Sequence, residues 1–449
     1  MNEAEKKAPH LKRKVSLFAL TMYGIGNILG AGIYALIGQV VGITGTLSWL
    51  SFVLAAVIGA FTGLSYAELS SMFPKSAAEF VYTENAFKIR ILSFILGWII
   101  IFSGLFSTAT VAFGFAGYLA SLIGIPSNLL IIPIAIALII ILSIVNYIGI
   151  KTSTWTNIIF TSIEAAGLIF IIIIGIPHFG SVNYIELPIG SNSFVIFSSI
   201  ALIFFAYIGF EDIANIAEEV KNPTRNLPRA IIYSLIITTI LYSLTAISVV
   251  SIVPYSTIAT STEPLSLVAI TAIGPIGRYI ISFIALFATA NTVLIMLIVT
   301  SRMMYGMARD KALPVSLSRI SKKHKTPTIS VFISMILVIG MFFLGGIDSV
   351  ARATVFGVLI NFILVNISLI ALRKKNPEIE RPFKLKPSVG FIPLISLLGA
   401  IVCGGLLFFT LDNQGNFDWW TLLIYGIIIL VGIVVFYLLK PKIETKSPK

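Results

Sequence analysis

Long apolar runs recur along almost the whole sequence and limit the possible folds more than any other feature. Each run has about 20 residues, the length that an α-helix needs to cross a lipid bilayer. Only 11% of the residues are charged and the mean hydropathy is +1.00, whereas soluble proteins carry about one quarter charged residues. We therefore expect an all-α polytopic membrane protein. Twelve spans are predicted, near residues 16–43, 46–70, 91–123, 128–148, 155–176, 194–217, 230–253, 278–304, 328–346, 351–372, 389–411 and 418–439.

The basic residues test the number and the direction of these spans, because Lys and Arg collect in cytoplasmic loops. If both termini are cytoplasmic, every Lys and Arg except Arg278 and Arg352 lies in a tail or loop on the cytoplasmic side. A missed span would destroy this separation. The distribution therefore favours an even number of spans in the cell membrane with both termini inside. Basic cytoplasmic loops that face anionic lipid explain the net charge of +12. We therefore expect no nucleic-acid partner.

The sequence contains no cluster of side chains typical of a metal site or an enzyme active site. Its single cysteine, Cys403, lies within a predicted span, and its three histidines fall in predicted loops or in the N-terminal tail. No group of His, Cys and acidic residues has the spacing of metal ligands or of a catalytic nucleophile and its base. We expect no metal, no cofactor and no enzymatic activity.

The first span contains four glycines within nine residues, in the segment from Gly24 to Gly32. Each glycine weakens a helix by roughly 1 kcal/mol relative to alanine. One interpretation is close packing against another helix. The other is a deliberate break that lets the backbone bind a ligand at mid-membrane. The sixth span favours the second interpretation, because Gly209 interrupts it two residues before the acids Glu211 and Asp212.

The two interrupted spans are five spans apart, which predicts two copies of one unit. An odd number of helices in each copy inverts the second relative to the first, as in many secondary transporters. The predicted organisation is a tail (1–14), a first repeat (15–176), a second repeat (193–373), two further helices (388–440) and a second tail (441–449). Broken helices expose amides that suit a carboxylate and carbonyls that suit an ammonium, so an amino acid is the expected ligand.

Six segments resemble signatures of the amino acid-polyamine-organocation superfamily. In order they are residues 26–34, 64–75, 204–211, 217–228, 301–310 and 381–384. The resemblance implies the leucine-transporter-like fold, a five-plus-five inverted repeat with broken first and sixth helices and two C-terminal helices. It also implies secondary transport of amino acids or polyamines.

The resemblance further implies roles for particular residues. The substrate's carboxylate and amine are expected to bind at Ile28, Leu29, Gly30, Ala31 and Gly32 of the first span and at Phe205, Ala206, Tyr207, Ile208 and Gly209 of the sixth. Phe205 matches an aromatic gate of the family. Glu211 matches an acid that links binding to gating in antiporter relatives.

The fifth span carries an acid that departs from the family pattern. Asn157, Thr161 and Glu164 are spaced to share one helical face, and a carboxylate at that depth is costly unless it faces protein, water or a cation. Many proton-coupled relatives have Lys at the place of Glu164. Three roles stay open: direct protonation of Glu164, cation binding with help from Thr289 or Thr292, and a purely structural acid.

Together these features predict a membrane protein that imports amino acids by alternating access, coupled to protons. The alternatives within the transporter class are an amino acid exchanger and a sodium-coupled symporter. An amino acid sensor that binds without transporting is the alternative from a different class.

Overall fold

The computed structural model describes residues 11–124, 127–187, 195–261, 263–342, 347–408 and 419–439. Most of these residues are helical, and the others form loops and one short hairpin. The helices are α1 (Leu17–Thr44), α2 (Ser48–Met72), α3 (Ala78–Phe87), α4 (Arg90–Ile123), α5 (Ser127–Ile148), α6 (Ile150–Gly175), α7 (Val195–Tyr207), α8 (Asp212–Asn215), α9 (Pro223–Ile252), α10 (Tyr255–Ala259), α11 (Pro264–Ile273), α12 (Ile276–Arg309), α13 (Thr328–Met341), α14 (Ile347–Lys375), α15 (Leu394–Phe408) and α16 (Trp419–Leu439). The hairpin strands β1 (Ser388–Val389) and β2 (Ile392–Pro393) pair antiparallel.

Helices dominate because a chain in lipid must satisfy its backbone hydrogen bonds within each span. Local sequence sets where several of them begin and end. Ser16 caps α1, since its hydroxyl accepts a hydrogen bond from the Ala19 amide at 3.3 Å. Gly149 alone separates α5 from α6 and has a φ of 136°, a conformation that favours glycine. Pro223 opens α9 at a position where a missing N–H costs nothing.

Nine helical segments in the described part of the chain are long and apolar enough to cross a membrane. They coincide with the predicted spans one to five, seven, eight, ten and twelve. The predicted ninth and eleventh spans coincide with the shorter apolar helices α13 and α15, of 14 and 15 residues. The predicted sixth span is divided between α7 and α8. Residues 1–10 and 441–449 of the predicted tails lie outside the described residues.

The packing of the helices has a regular order. Four pairs of helices that lie five predicted spans apart pack against each other: α1 on α7, α2 on α9, α4 on α12 and α5 on α13. In addition, α1 contacts α6, α9 and α12, so it runs through the middle of the bundle. Outward-facing positions such as Ile141, Ile173 and Leu430 stay exposed, as a surface solvated by lipid requires.

A buried ion pair joins four segments of the chain at one end of this bundle. Arg302 of α12 and Glu219 are both fully buried, with Nε to Oε2 at 3.2 Å and Nη2 to Oε1 at 3.1 Å. Arg302 Nη1 also donates to Asn146 Oδ1 of α5 at 2.6 Å. The Glu219 carbonyl accepts from the amides of Lys14 and Val15 at 2.8 and 3.0 Å. Every charged group of the cluster is therefore bonded to another segment.

A second buried acid lies in α3, outside the predicted spans. Glu79 is fully buried, and its Oε1 accepts from the Tyr66 hydroxyl at 3.1 Å and from Asn215 Nδ2 of α8 at 3.3 Å. The neighbouring Ala78 amide donates to Asn215 Oδ1 at 2.9 Å. Burial raises the pKa of Glu79 from 4.5 to about 7, although both hydrogen bonds oppose this shift.

Glu79 should make stability depend on pH. The folded protein keeps this proton up to about pH 7, whereas the unfolded chain releases it near pH 4.5. The free energy of unfolding should therefore fall as the pH rises from about 4.5 to about 7, by on the order of 3 kcal/mol, and stay level above that range. Unfolding of the detergent-solubilised protein at a series of pH values measures this slope.

A neutral variant isolates the contribution of this one carboxyl. In Glu79→Gln the part of the slope that Glu79 causes should disappear, because the amide does not titrate. The matched control is Glu84→Gln, which should keep the slope. Glu84 is a half-buried acid of the same helix and pairs with Arg90 at 3.6 Å. Identical slopes in wild type and Glu79→Gln would show that Glu79 does not hold its proton in the fold.

Candidate functional site

The backbone of α1 leaves the helical conformation at Gly30. Its φ is 24° and its ψ is −156°, a combination that side chains disfavour. A Cβ atom placed on Gly30 would lie 2.8 Å from the Thr292 hydroxyl of α12. Both the conformation and the limited space at this position therefore favour glycine. The position lies within the glycine-rich segment in which the sequence predicts a break of the helix.

A second break separates α7 from α8. The helix α7 ends at Tyr207, and Gly209 follows with a φ of 127°. The Gly209 amide donates to Glu211 Oε2 at 2.8 Å, and the Gly209 carbonyl accepts from Asn27 Nδ2 of α1 at 2.8 Å. Side chains thus replace the helical partners that these two backbone groups lack.

The two breaks lie directly against each other. A Cβ on Gly32 would lie 3.0 Å from the Ala206 Cα, and a Cβ on Gly209 would lie 2.7 Å from Asn27 Nδ2. Asn27 Nδ2 also donates to Asp212 Oδ2 at 2.7 Å. The glycines of both segments therefore serve the same purpose, which is to let one interrupted backbone approach the other.

Tyr242 of α9 links the two breaks, and sequence reasoning missed it. Its buried hydroxyl lies 2.6 Å from the Ile28 carbonyl oxygen, 3.1 Å from that of Leu29 and 3.2 Å from that of Ala206. One hydroxyl proton cannot satisfy three acceptors at once, so carbonyls of both breaks converge on a point that attracts a hydrogen-bond donor. No sequence signal identifies Tyr242 beyond its polar tip within an apolar span.

The other expected binding residues surround the same two breaks. Ile28 and Leu29 are buried, and the Tyr207 hydroxyl donates to the Phe52 carbonyl at 3.1 Å. Ile208 is partly buried in the gap between α7 and α8. The side chains of Ala31 and Phe205 lie outside the described ones, although the backbone of each is helical.

The polar face of α6 is completely buried, as its spacing predicts. Asn157, Thr161 and Glu164 have no exposed surface. Asn291 of α12 contacts all three: its Oδ1 accepts from Asn157 at 2.8 Å, and its Nδ2 lies 2.9 Å from Thr161 Oγ1 and 3.5 Å from Glu164 Oε2. A Cβ on Gly26 of α1 would lie 2.0 Å from Thr161 Oγ1. Helices α1, α6 and α12 therefore meet at this polar cluster.

Glu164 is poorly satisfied within this cluster. Among the described residues, its Oε1 has no hydrogen-bond partner and no ion pair includes it. The hydroxyls of Thr289 and Thr292 donate to carbonyls of their own helix, those of Ala285 at 2.8 Å and Ala288 at 3.2 Å. An unpaired buried carboxylate is costly, and taking up a proton removes the charge that causes the cost.

The described residues contain no group of three or more His, Cys, Asp or Glu side chains that could hold a metal ion. The acids Glu211 and Asp212 are instead bonded to the break itself, the first through the Gly209 amide and the second through Asn27. The site therefore offers backbone hydrogen-bond donors and acceptors at the two breaks, beside the incompletely hydrogen-bonded carboxyl of Glu164.

Comparison with known proteins shows which family the sequence resembles. The sequence model of the amino acid permease family matches residues 15–434. The chain is 33% identical to the branched-chain amino acid permease BcaP of Bacillus subtilis over 452 residues, which cover 96% of this chain and 94% of that protein. It is 30% identical to the methylthioribose transporter of Bacillus subtilis over 458 residues, which cover 98% and 96%.

A plant protein extends the comparison. The chain is 32% identical to the vacuolar cationic amino acid transporter 4 of Arabidopsis thaliana over 396 residues, which cover 82% of this chain and 65% of that protein. All three relatives are transporters and not enzymes, in agreement with the sequence-based expectation that this chain is not an enzyme. A match over nearly the whole chain also confirms the family resemblance. The chain therefore belongs to the amino acid permease family, whose members are multi-pass membrane transporters.

Proposed function

We propose that this permease imports amino acids across the cell membrane by alternating access, in symport with protons. The observation that carries the proposal is the contact between the breaks at Gly30 and Gly209, where freed backbone groups of two helices converge. Broken helices that meet within the bundle are the binding architecture of many secondary transporters.

The proposal includes an inverted repeat of residues 15–176 and 193–373, followed by two helices at 388–440 and with both termini in the cytoplasm. The packing of α1 on α7, α2 on α9, α4 on α12 and α5 on α13 supports it. If a twofold axis in the membrane plane relates the two copies, each of these contacts joins a helix to its own counterpart in the other copy. The segregation of basic residues supports the orientation.

Both ends of a zwitterion find partners at the breaks. The carbonyl oxygens of Ile28, Leu29 and Ala206, which converge on Tyr242, suit an ammonium group. The amides after Gly30, which begin the second half of α1, suit a carboxylate because a helix N-terminus carries partial positive charge.

The substrate's side chain should be neutral. Glu211 and Asp212, the acids nearest to the second break, already accept hydrogen bonds from the Gly209 amide and from Asn27. A cationic side chain would therefore compete with these partners for the two carboxylates. The apolar side chains of Ile28 and Leu29 beside the first break favour an aliphatic substrate, and one relative is a branched-chain amino acid permease.

Glu164 is the proposed proton carrier. Its unpaired Oε1 and its burial make the charged form costly in this conformation. The same cluster contacts α1, because the Thr161 hydroxyl donates to the Met22 carbonyl at 3.3 Å. A movement of α1 that admits substrate would therefore also change the surroundings of Glu164, which is what coupling requires.

Uptake into proteoliposomes tests the function and the coupling together. Wild type should accumulate neutral amino acids when an inward proton gradient is imposed. Glu164→Gln, which removes the titrating group at nearly the same volume, should lose gradient-driven accumulation entirely and still bind substrate. Glu263→Gln makes the same change at a partly exposed acid that pairs with Arg278 at 3.5 Å. This matched control should accumulate as wild type does.

Other outcomes of this assay would replace the proposal. Accumulation by Glu164→Gln at the wild-type level would refute the role of Glu164. Uptake that follows a sodium gradient, or that needs internal amino acid and ignores both gradients, would identify a sodium symporter or an exchanger. Saturable binding without any uptake would identify a sensor.

A further inference from the structure

A cavity of about 440 Å³ lies at one end of the bundle, away from the two breaks. Its size falls within the range of about 300–1,000 Å³ that is typical of small-molecule sites. Its wall includes Arg13, Lys14, Lys151 and Lys221, together with the aromatic side chains of Phe18 and Trp155. We propose that this basic cavity binds the phosphate headgroup of an anionic phospholipid. The proposal does not rest on the transport function.

The four basic side chains come from three separate parts of the chain. Lys14 and Lys221 lie on segments that pair with each other, since the Lys14 amide donates to the Glu219 carbonyl at 2.8 Å and the Lys221 amide to the Val15 carbonyl at 2.9 Å. Lys151 lies in the first turn of α6. Tertiary structure therefore builds this cluster, and the backbone pairing holds two of its members in place before any ligand arrives.

Within the described part of the chain, no acidic side chain neutralises this cluster. None of the residues that line the cavity is acidic, and none of the ion pairs among the described residues includes Arg13, Lys14, Lys151 or Lys221. Like charges held together repel each other. A bound anion removes this repulsion, and a phosphate offers several acceptor oxygens to Lys and Arg donors at once.

The edge of the cavity points to a lipid as the source of the phosphate. Phe18 at the start of α1 is 66% exposed and Trp155 on α6 is 59% exposed. Ile159, one turn after Trp155 on the same face, is 53% exposed and continues the apolar surface along the span. Aromatic residues at the end of a span typically mark the membrane interface. A charged interior beside an apolar rim fits a headgroup with its acyl chains, whereas free phosphate would use only the interior.

Charge removal in the cavity tests the site. Each basic residue near an anionic headgroup should strengthen binding about fivefold, so Lys151→Gln/Lys221→Gln should weaken it about twenty-five-fold. The variant with Lys151→Arg/Lys221→Arg keeps the charges and should bind as wild type does. The matched control is Lys322→Gln/Lys323→Gln, which removes two exposed charges from another basic loop and should leave the affinity unchanged.

The measurement is the thermal stabilisation of the purified full-length chain in a neutral detergent. The probes are dioctanoyl phosphatidylglycerol, dioctanoyl phosphatidylcholine and inorganic phosphate. The proposal expects saturable stabilisation by phosphatidylglycerol, little by the zwitterionic lipid and weaker stabilisation by phosphate. Equal affinity of the wild type and the Lys151→Gln/Lys221→Gln variant, or an equal loss in the control variant, would overturn the site. Inorganic phosphate that binds as tightly as phosphatidylglycerol would overturn the assignment to a lipid.

Discussion

Gly30→Val is expected to abolish amino acid binding. The backbone at Gly30 has a φ of 24°, which a β-branched residue cannot adopt without strain, and a Cβ there would lie 2.8 Å from the Thr292 hydroxyl. Valine would therefore force α1 towards a regular helix and push it away from α12. The carbonyls of Ile28 and Leu29 would return to helical partners and no longer be available to a ligand.

Thermal shift of the purified variant with a panel of amino acids measures this loss, because a ligand that binds the folded protein raises its apparent stability. Gly117→Val is the matched control, since Gly117 lies in α4 and a Cβ there meets nothing within 4 Å. That variant should bind as wild type does. If Gly30→Val also bound with wild-type affinity, the glycines of α1 would serve only helix packing.

Arg302→Met is expected to lower the free energy of unfolding by about 3–5 kcal/mol, the typical cost of leaving a buried charge without its partner. Glu219 has no exposed surface and receives two hydrogen bonds from Arg302. Asn146 would lose its bond to Arg302 Nη1 as well. The segment around Val15, which pairs with residues 219–221, should loosen together with the cluster.

Denaturant unfolding in detergent measures this change, and two further variants define its cause. Replacing both partners, in Arg302→Met/Glu219→Leu, removes the unpaired charge and should recover most of the loss. Arg278→Met breaks an exposed pair with Glu263 at 3.5 Å and should cost at most about 1 kcal/mol. A loss in Arg302→Met no larger than in Arg278→Met would mean that the buried pair contributes little to stability.

Sequence reasoning was most successful where the signal is local. The apolar runs predicted the positions of the long helices, because length and composition decide which segments can lie in lipid. The spacing of Asn157, Thr161 and Glu164 predicted a common face, and all three are buried. The prediction that Glu164 carries protons stays a prediction, as does the assignment of residues 28–32 and 205–209 to the substrate.

Sequence reasoning did not find the residues of other helices that contact the two breaks and the polar face of α6. Nothing in the local sequence around Tyr242 or Asn291 identifies their partners, which are distant in sequence. Tyr242 reaches the Ile28 carbonyl across 214 positions and Asn291 reaches Thr161 across 130. The basic cavity has the same origin, since Lys14, Lys151 and Lys221 come together only through tertiary packing.

The amino-acid sequence by itself determined that this protein lies in a lipid bilayer, where its long helices run and where two of its spans are interrupted. Those properties follow from hydrophobicity, periodicity and the conformational freedom of glycine, all of which act within one turn or one span. Only the tertiary structure decided which backbone groups each break presents, because the carbonyls at Ile28 and Ala206 belong to different helices and converge through Tyr242 of a third. Long-range packing fixes such convergence, since it depends on how close the glycines let the helices approach.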